Sequence, residues 1–170
     1  ANDGPWYYEM QELGYNFRIT DIQCALGISQ MNKLDKFLKE RQLLAVKYDQ
    51  AFNDINYLHT PPSPLPGSSH AYHLYPLVLA ADINRTDFFA YLRGHNIGVQ
   101  VHYIPVHLQP YYRSRFGYKP GDFPKTENFY AQEISLPLFP GLTEEQQEYV
   151  IKMVKSFGED RGNVKGLAGE

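Results

Sequence analysis

Apolar residues recur at helical spacing from Thr20 to about Asn53. Ile22 and Leu26 share one line with Ser29, and Leu34, Leu38, Arg41, Ala45, Tyr48 and Phe52 form another. The step from Ser29 to Leu34 slips the phase, and Asn32, a weak helix former, stands at the slip. The pattern predicts one long amphipathic helix, or two end to end, with a kink or break near residues 30–33. Thr20 and Gln23 have the spacing at which side chain and backbone cap each other, and Ile19 and Cys24 occupy the staple positions around them. Lys33, Lys36, Lys39, Glu40 and Arg41 form a charged face expected to be solvated.

Residues 60–69, rich in Pro and Ser, cannot continue a helix and read as a connector. Residues 70–81 alternate and then run apolar, as a strand does, with Pro76 calling for an edge position or a bulge. Asn84 or Thr86 can cap a helix carrying Phe88, Phe89, Tyr91 and Leu92. Asn96 suits a left-handed cap at its end, before a second strand over residues 99–103. A short helix is expected over residues 109–116, another over 123–134, and a short extended piece over 135–141. Thr143 and Gln146 repeat the capping-box spacing ahead of a last helix that carries Tyr149, Val150, Met153, Val154 and Phe157. The fold class expected is α+β: a long leading helix, then a small, mostly antiparallel sheet with helices. The divisions expected are a segment at 1–19, the helix at 20–54, a small α+β domain at 55–157 and a fraying tail at 158–170.

With 170 residues, 43% hydrophobic and 21% charged, the chain suits one domain with a core. The net charge of −3 argues against nucleic acid or an anionic membrane as partner. The single Cys24 excludes an internal disulfide framework, fits a reducing compartment and reads as a small buried hydrophobe. No apolar run approaches the roughly 20 residues of a membrane span, so a cytoplasmic location is expected. The chain starts without an initiator Met, and Trp6, Tyr7, Tyr8 and Met10 crowd its first residues. That opening suggests a trimmed protein or a piece of a longer one, whose aromatics pack on something else.

Candidate chemistry is narrow. The pairs His70/His73 and His102/His107 lack a carboxylate or thiol cluster, so no metal site is expected. No nucleophile elbow and no Gly-rich phosphate loop is present. A polar and aromatic constellation remains: Tyr15, Asn16 and Arg18 before the first helix, and His102, Tyr103 and His107 in HYIPVH. An amide and a guanidinium beside a helix N-terminus suit an anionic oxygen, since both donate hydrogen bonds where the helix end adds positive potential. From the residues alone this is a phosphate or carboxylate site, or only a turn before a helix.

The blocks PWYYEMQELGYNFRITDIQCALGISQMNKLD, HLYPLVL, NIGVQVHYIPVHLQPYY and ISLPLFPGLTEEQ stand in an order and approximate spacing that span nearly the whole chain. In these blocks the sequence resembles the C-terminal part of DegT/StrS-type sugar nucleotide aminotransferases, fold-type I enzymes that use pyridoxal 5'-phosphate (PLP). The first block is most similar to members that aminate a UDP-linked 4-keto sugar on the way to pseudaminic acid. The resemblance implies a homodimer that moves an amino group from glutamate to a nucleotide-linked 4-keto-6-deoxysugar in surface polysaccharide or glycan biosynthesis. It places Asn16 at the cofactor phosphate of the neighbouring subunit, Arg18 near the substrate's phosphates with Tyr15 beside it, and His102, Tyr103 and His107 on the sugar side. For each of His102, Tyr103 and His107 a structural hydrogen bond is an equal reading. No catalytic residue is assigned, because the family's Schiff-base lysine lies upstream of PWYYEM; PLP is therefore not expected to bind this chain covalently, and the chain alone is expected to be inactive. A non-catalytic regulatory or binding relative of the same fold, or a PLP-dependent sugar dehydratase with histidine at that lysine position, fits the same residues.

Overall fold

The computed structural model describes residues 3–167, with side chains through residue 158. Helix α1, Asp21–Met31, opens on the expected capping box, in which Thr20 Oγ1 accepts from Gln23 N–H and the Gln23 side chain accepts from Thr20 N–H. The break falls at Asn32 and Lys33, and α2 runs over Leu34–Phe52. Three short strands follow, β1 (Leu58–His59), β2 (Tyr75–Leu79) and β3 (Glu133–Leu136), paired antiparallel in the order β1-β2-β3. Between β2 and β3 lie α3 (Arg85–Gly94), a 3-10 turn (Val106–Leu108), α4 (Pro110–Phe116) and α5 (Pro124–Gln132), and the last helix is α6, Glu144–Leu167. The class is α+β, with helices against a small antiparallel sheet.

Several elements differ from the sequence reading, each for a physical reason. β2 is the central strand, although it contains Pro76. β1 pairs only with Val78 and Leu79, so Pro76, opposite Ser135, stands where the strand has a neighbour on one side alone. Residues 70–74 stay outside the strand, with Tyr72 at φ 46°. The second strand expected over residues 99–103 is reduced to a single bridge between Gln100 and Ser135. The next partner in that register would be Glu133, and its carboxylate takes the His102 N–H at 2.7 Å in place of a ladder carbonyl. The helix expected to reach residue 134 stops at Gln132, because residues 133–136 form β3. Helix α6 continues to Leu167, beyond the expected start of the tail. The capping residues Asn84, Asn96 at φ 59° and Thr143 with Gln146 act as the sequence indicates.

The core lies between the sheet and α2, α3 and α6. Tyr48 stacks on Phe52 and tilts against Tyr75 at 4.9 Å, and Phe88 meets Phe157 edge-on at 4.8 Å. Leu77, Leu79, Leu92, Ile134 and Val154 are fully buried among them. Each such side chain contributes roughly 1.5–3 kcal/mol by leaving water. The buried hydroxyls keep partners: Tyr48 donates to Pro137 O at 2.9 Å and Tyr75 to Asp49 Oδ1 at 2.6 Å. Burial pushes both phenols well above their ordinary value, reinforced at Tyr75 by Asp49. Gln147, also buried, ties α6 to α2 by donating to Leu44 O at 2.7 Å.

Arg41 departs from the solvated face assigned to it. Its Nη1 donates to the carbonyls of Tyr72 at 2.9 Å, His73 at 3.2 Å and Leu138 at 2.9 Å, closing the loops that precede β2 and follow β3. The opening aromatics are also partly accounted for within this chain. Trp6 is buried against Phe89 at 4.8 Å, with the Arg85 guanidinium 4.6 Å over its ring and its Nε1 3.4 Å from Tyr130 Oη. Tyr8 remains half exposed. Cys24 is exposed, against the expectation of burial, because no residue of α1 is buried. Ile22 and Leu26 of the apolar stripe are exposed, with nothing in the described chain on top of them.

Candidate functional site

Two groups of polar residues remain beyond the core. The first lies on the approach to α1. Tyr15 and Phe17 are nearly fully exposed, at 88% and 86%, and their rings meet edge-on at 6.1 Å. The Phe17 N–H donates to Tyr15 O at 3.2 Å, which turns the chain and sets Asn16 and Arg18 at its surface. Among the described residues, neither side chain has a hydrogen-bond partner. Both stand ahead of a capped 11-residue helix whose N-terminal potential favours an anion.

The second group is built around residues 102–107. His102 is half-buried, and its Nδ1 is a buried polar atom without a hydrogen-bond partner among the described residues. Burial, with His73 nearby, lowers its pKa from the ordinary value and favours the neutral ring. Tyr103 is exposed and meets the His102 ring edge-on at 4.6 Å. His107 is buried, and its Nε2 lies 2.9 Å from Glu127 Oε1. The Tyr118 and Phe123 rings stand around it, and a cavity of about 370 Å³ opens between His107, Tyr112, Tyr118 and Phe123.

The structure thus brings His102, Tyr103 and His107 onto one segment and Tyr15, Asn16 and Arg18 onto another. No hydrogen bond or ring contact joins the two sets among the described residues. A strap relates them indirectly: Met10 N–H donates to Gln109 Oε1 at 2.7 Å, and Met10 O accepts from Tyr111 N–H at 3.1 Å. The block that opens the chain is thereby fastened to the block that carries the histidines.

Two carboxylates escaped the sequence reading. Glu133 is fully buried, accepting from His102 N–H at 2.7 Å and from Ser135 Oγ at 2.5 Å. Burial raises its pKa above the usual carboxylate range, opposed by the Ser135 and His102 hydrogen bonds and the charge of Arg85. Glu127 is held below that range, first by the Gly121 N–H and then by His107. Their only sequence signal is a lone acid next to Ile134 in one case, and a Glu in the first turn of a Pro-initiated helix in the other.

Among the described residues no group of three or more His, Cys, Asp or Glu could hold a metal ion. No helix there is long and apolar enough to cross a membrane. What the surface groups can do is bind: donate to anionic oxygens at Asn16 and Arg18, and exchange hydrogen bonds with hydroxyls around His102 and His107.

Comparison with known proteins gives these groups a context. A family model described as the DegT/DnrJ/EryC1/StrS aminotransferase family matches residues 1–155. The spore coat polysaccharide biosynthesis protein SpsC of Bacillus subtilis is 40% identical over 91% of this chain and 41% of its own length. The UDP-4-amino-4,6-dideoxy-N-acetyl-beta-L-altrosamine transaminase of Campylobacter jejuni is 37% identical over 78% of this chain and 35% of its own. Helicobacter pylori PseC, an aminotransferase involved in the biosynthesis of pseudoaminic acid, superposes with a TM-score of 0.74 at 31% identity, over 89% of this chain and 41% of that one. A putative sugar aminotransferase of Streptococcus pneumoniae, solved in its PLP form, gives 0.77 at 27% identity, over 91% and 40%. The chain therefore spans about two fifths of the length of the proteins it matches.

Proposed function

The chain belongs to the DegT/DnrJ/EryC1/StrS aminotransferase family, and we propose that it is the C-terminal part of a PLP-dependent, homodimeric sugar nucleotide aminotransferase of the cytoplasm. The reaction proposed is transfer of an amino group from glutamate to a nucleotide-linked 4-keto-6-deoxysugar used in surface polysaccharide or glycan synthesis. The family match over residues 1–155 carries this reading, supported by the kinship to SpsC and to a UDP-sugar transaminase. In the same reading, residues 1–19 lie against the larger part of the protein, which also holds the lysine that binds the cofactor, and this chain by itself is inactive.

The donor chemistry on the approach to α1 fits a phosphate. PLP, when bound, supplies the electron sink for the amino transfer, and the protein supplies binding and orientation. Asn16 would donate its amide to the cofactor phosphate of the neighbouring subunit, with the α1 N-terminus adding positive potential. Arg18, with Tyr15 beside it, would hold the substrate's phosphates through its planar fork of N–H groups. His102, Tyr103 and His107 would meet the sugar.

The test is direct. The complete protein, given PLP, glutamate and a UDP-linked 4-keto-6-deoxysugar, should form the 4-amino sugar, and Asn16→Ala should weaken PLP retention. The 170-residue chain, incubated with PLP and then borohydride, should carry no covalent adduct. An adduct on one of its lysines, or a complete protein inert toward keto sugars, would defeat the proposal.

A further inference from the structure

His107 and Glu127 are 20 residues apart in sequence and 2.9 Å apart in space. The carboxylate is closely held: Gly121 N–H reaches both oxygens, at 3.0 and 2.9 Å, and Phe123 N–H reaches Oε1 at 3.2 Å. Part of this is ordinary helix capping, since Glu127 is in the first turn of α5 and Phe123 is its cap. His107, arriving from the 3-10 turn, has no part in the cap. A carboxylate fixed by backbone donors is an acceptor and nothing else, so the Nε2 facing it must carry a proton. In the neutral imidazole the other nitrogen, Nδ1, is then a bare acceptor.

That Nδ1 has no hydrogen-bond partner among the described residues. The His107 ring also lines the cavity whose walls include Tyr112, Tyr118 and Phe123. Aromatic faces beside one fixed acceptor suit a sugar ring, which presents C–H groups to the faces and hydroxyl donors to the edge.

We infer that Glu127 is a positioning residue: by holding the proton on His107 Nε2, it leaves Nδ1 to accept a hydrogen bond from a hydroxyl of a carbohydrate seated on the aromatic walls of this cavity. The identity of that ligand rests on the function proposed above, whereas the role of Glu127 toward the ring does not.

Three forms of the complete protein test it: unaltered, Glu127→Ala and His107→Gln. Nitrogen NMR of the neutral His107 ring should show Nε2–H in the unaltered protein and a mixture including Nδ1–H in Glu127→Ala. In His107→Gln the side-chain amide can still donate to Glu127 while the acceptor at Nδ1 is gone. Its thermal unfolding should match the unaltered protein, and KM for the sugar nucleotide should rise about tenfold, the worth of one hydrogen bond, with a smaller fall in kcat. A proton found on Nδ1 in the unaltered protein, a tautomer unmoved by Glu127→Ala, or an unchanged KM in His107→Gln would each overturn the inference. An unaltered protein inert toward sugar nucleotides would defeat the functional reading instead, and the nitrogen spectra would then decide the role of Glu127 alone.

Discussion

Replacing Glu133 by Gln should flatten part of the pH dependence of stability, and the size of the effect can be worked from its surroundings. The carboxyl is fully buried in β3, and burial lifts its native pKa above the ordinary value for Glu, about 4.3, against the opposing pull of Ser135, the His102 N–H and Arg85. A raised native pKa means that the folded state holds this proton more tightly than the unfolded chain. The stabilisation from Glu133 is therefore complete below pH ~4.3 and is lost as pH rises through the native pKa. Within that window one proton changes stability by at most about 1.4 kcal/mol per pH unit. Gln is isosteric, keeps one oxygen for the His102 N–H and does not titrate. The stability of Glu133→Gln relative to the unaltered protein should thus climb with pH across the window and level off above it. Urea unfolding in steps from about pH 4 to 8 measures this difference. A difference that stays constant over the whole range would refute the reasoning and place the carboxyl in an environment it does not feel as buried.

Two further outcomes follow from the fold. Arg41→Met should lower stability by about 3 kcal/mol, because one nitrogen with two hydrogens serves three loop carbonyls, and each charge-assisted bond contributes about 1.5–3 kcal/mol; chemical denaturation would show it, and a loss under about 1 kcal/mol would count against the contacts. Cys24, exposed on α1, should react with a maleimide within minutes in the isolated chain and far more slowly in the complete protein, as followed by mass spectrometry; equal rates would mean that nothing covers that helix.

What could be read from the sequence was mostly what is decided within a few residues. The caps at Thr20, Asn84, Asn96 and Thr143, and the break beside Asn32, follow from local hydrogen bonding and from the phase of the apolar stripe. The four ordered blocks pointed to the family that the comparisons establish. The misses are long-range. Arg41 is one more charge on a helix until Leu138, 97 residues on, is folded against it. Nothing local distinguishes Glu133 from a surface acid, yet its carboxylate ends a strand by taking the N–H that a ladder would use. Cys24 failed in the opposite sense, since an apolar pattern predicts a buried face only if a covering surface exists. Of the candidate site, the residues of the HYIPVH block could be named, but Glu127 could not, since its link to His107 crosses two turns and a helix.

The strap at Met10 bears on how the stretch with Asn16 and Arg18 can be recruited. Met10 is fixed to Gln109 and Tyr111 at one end, and α2 is packed into the core at the other. Residues 11–33 between these anchors are therefore a closed loop and not a dangling terminus. In polymer terms the cost of bringing the ends together, which rises only as the logarithm of loop length, has already been met by contacts within this chain. A surface that covers α1 need restrict only the interior of a tethered loop. The two polar side chains then reach their target from a confined volume, at a high effective concentration.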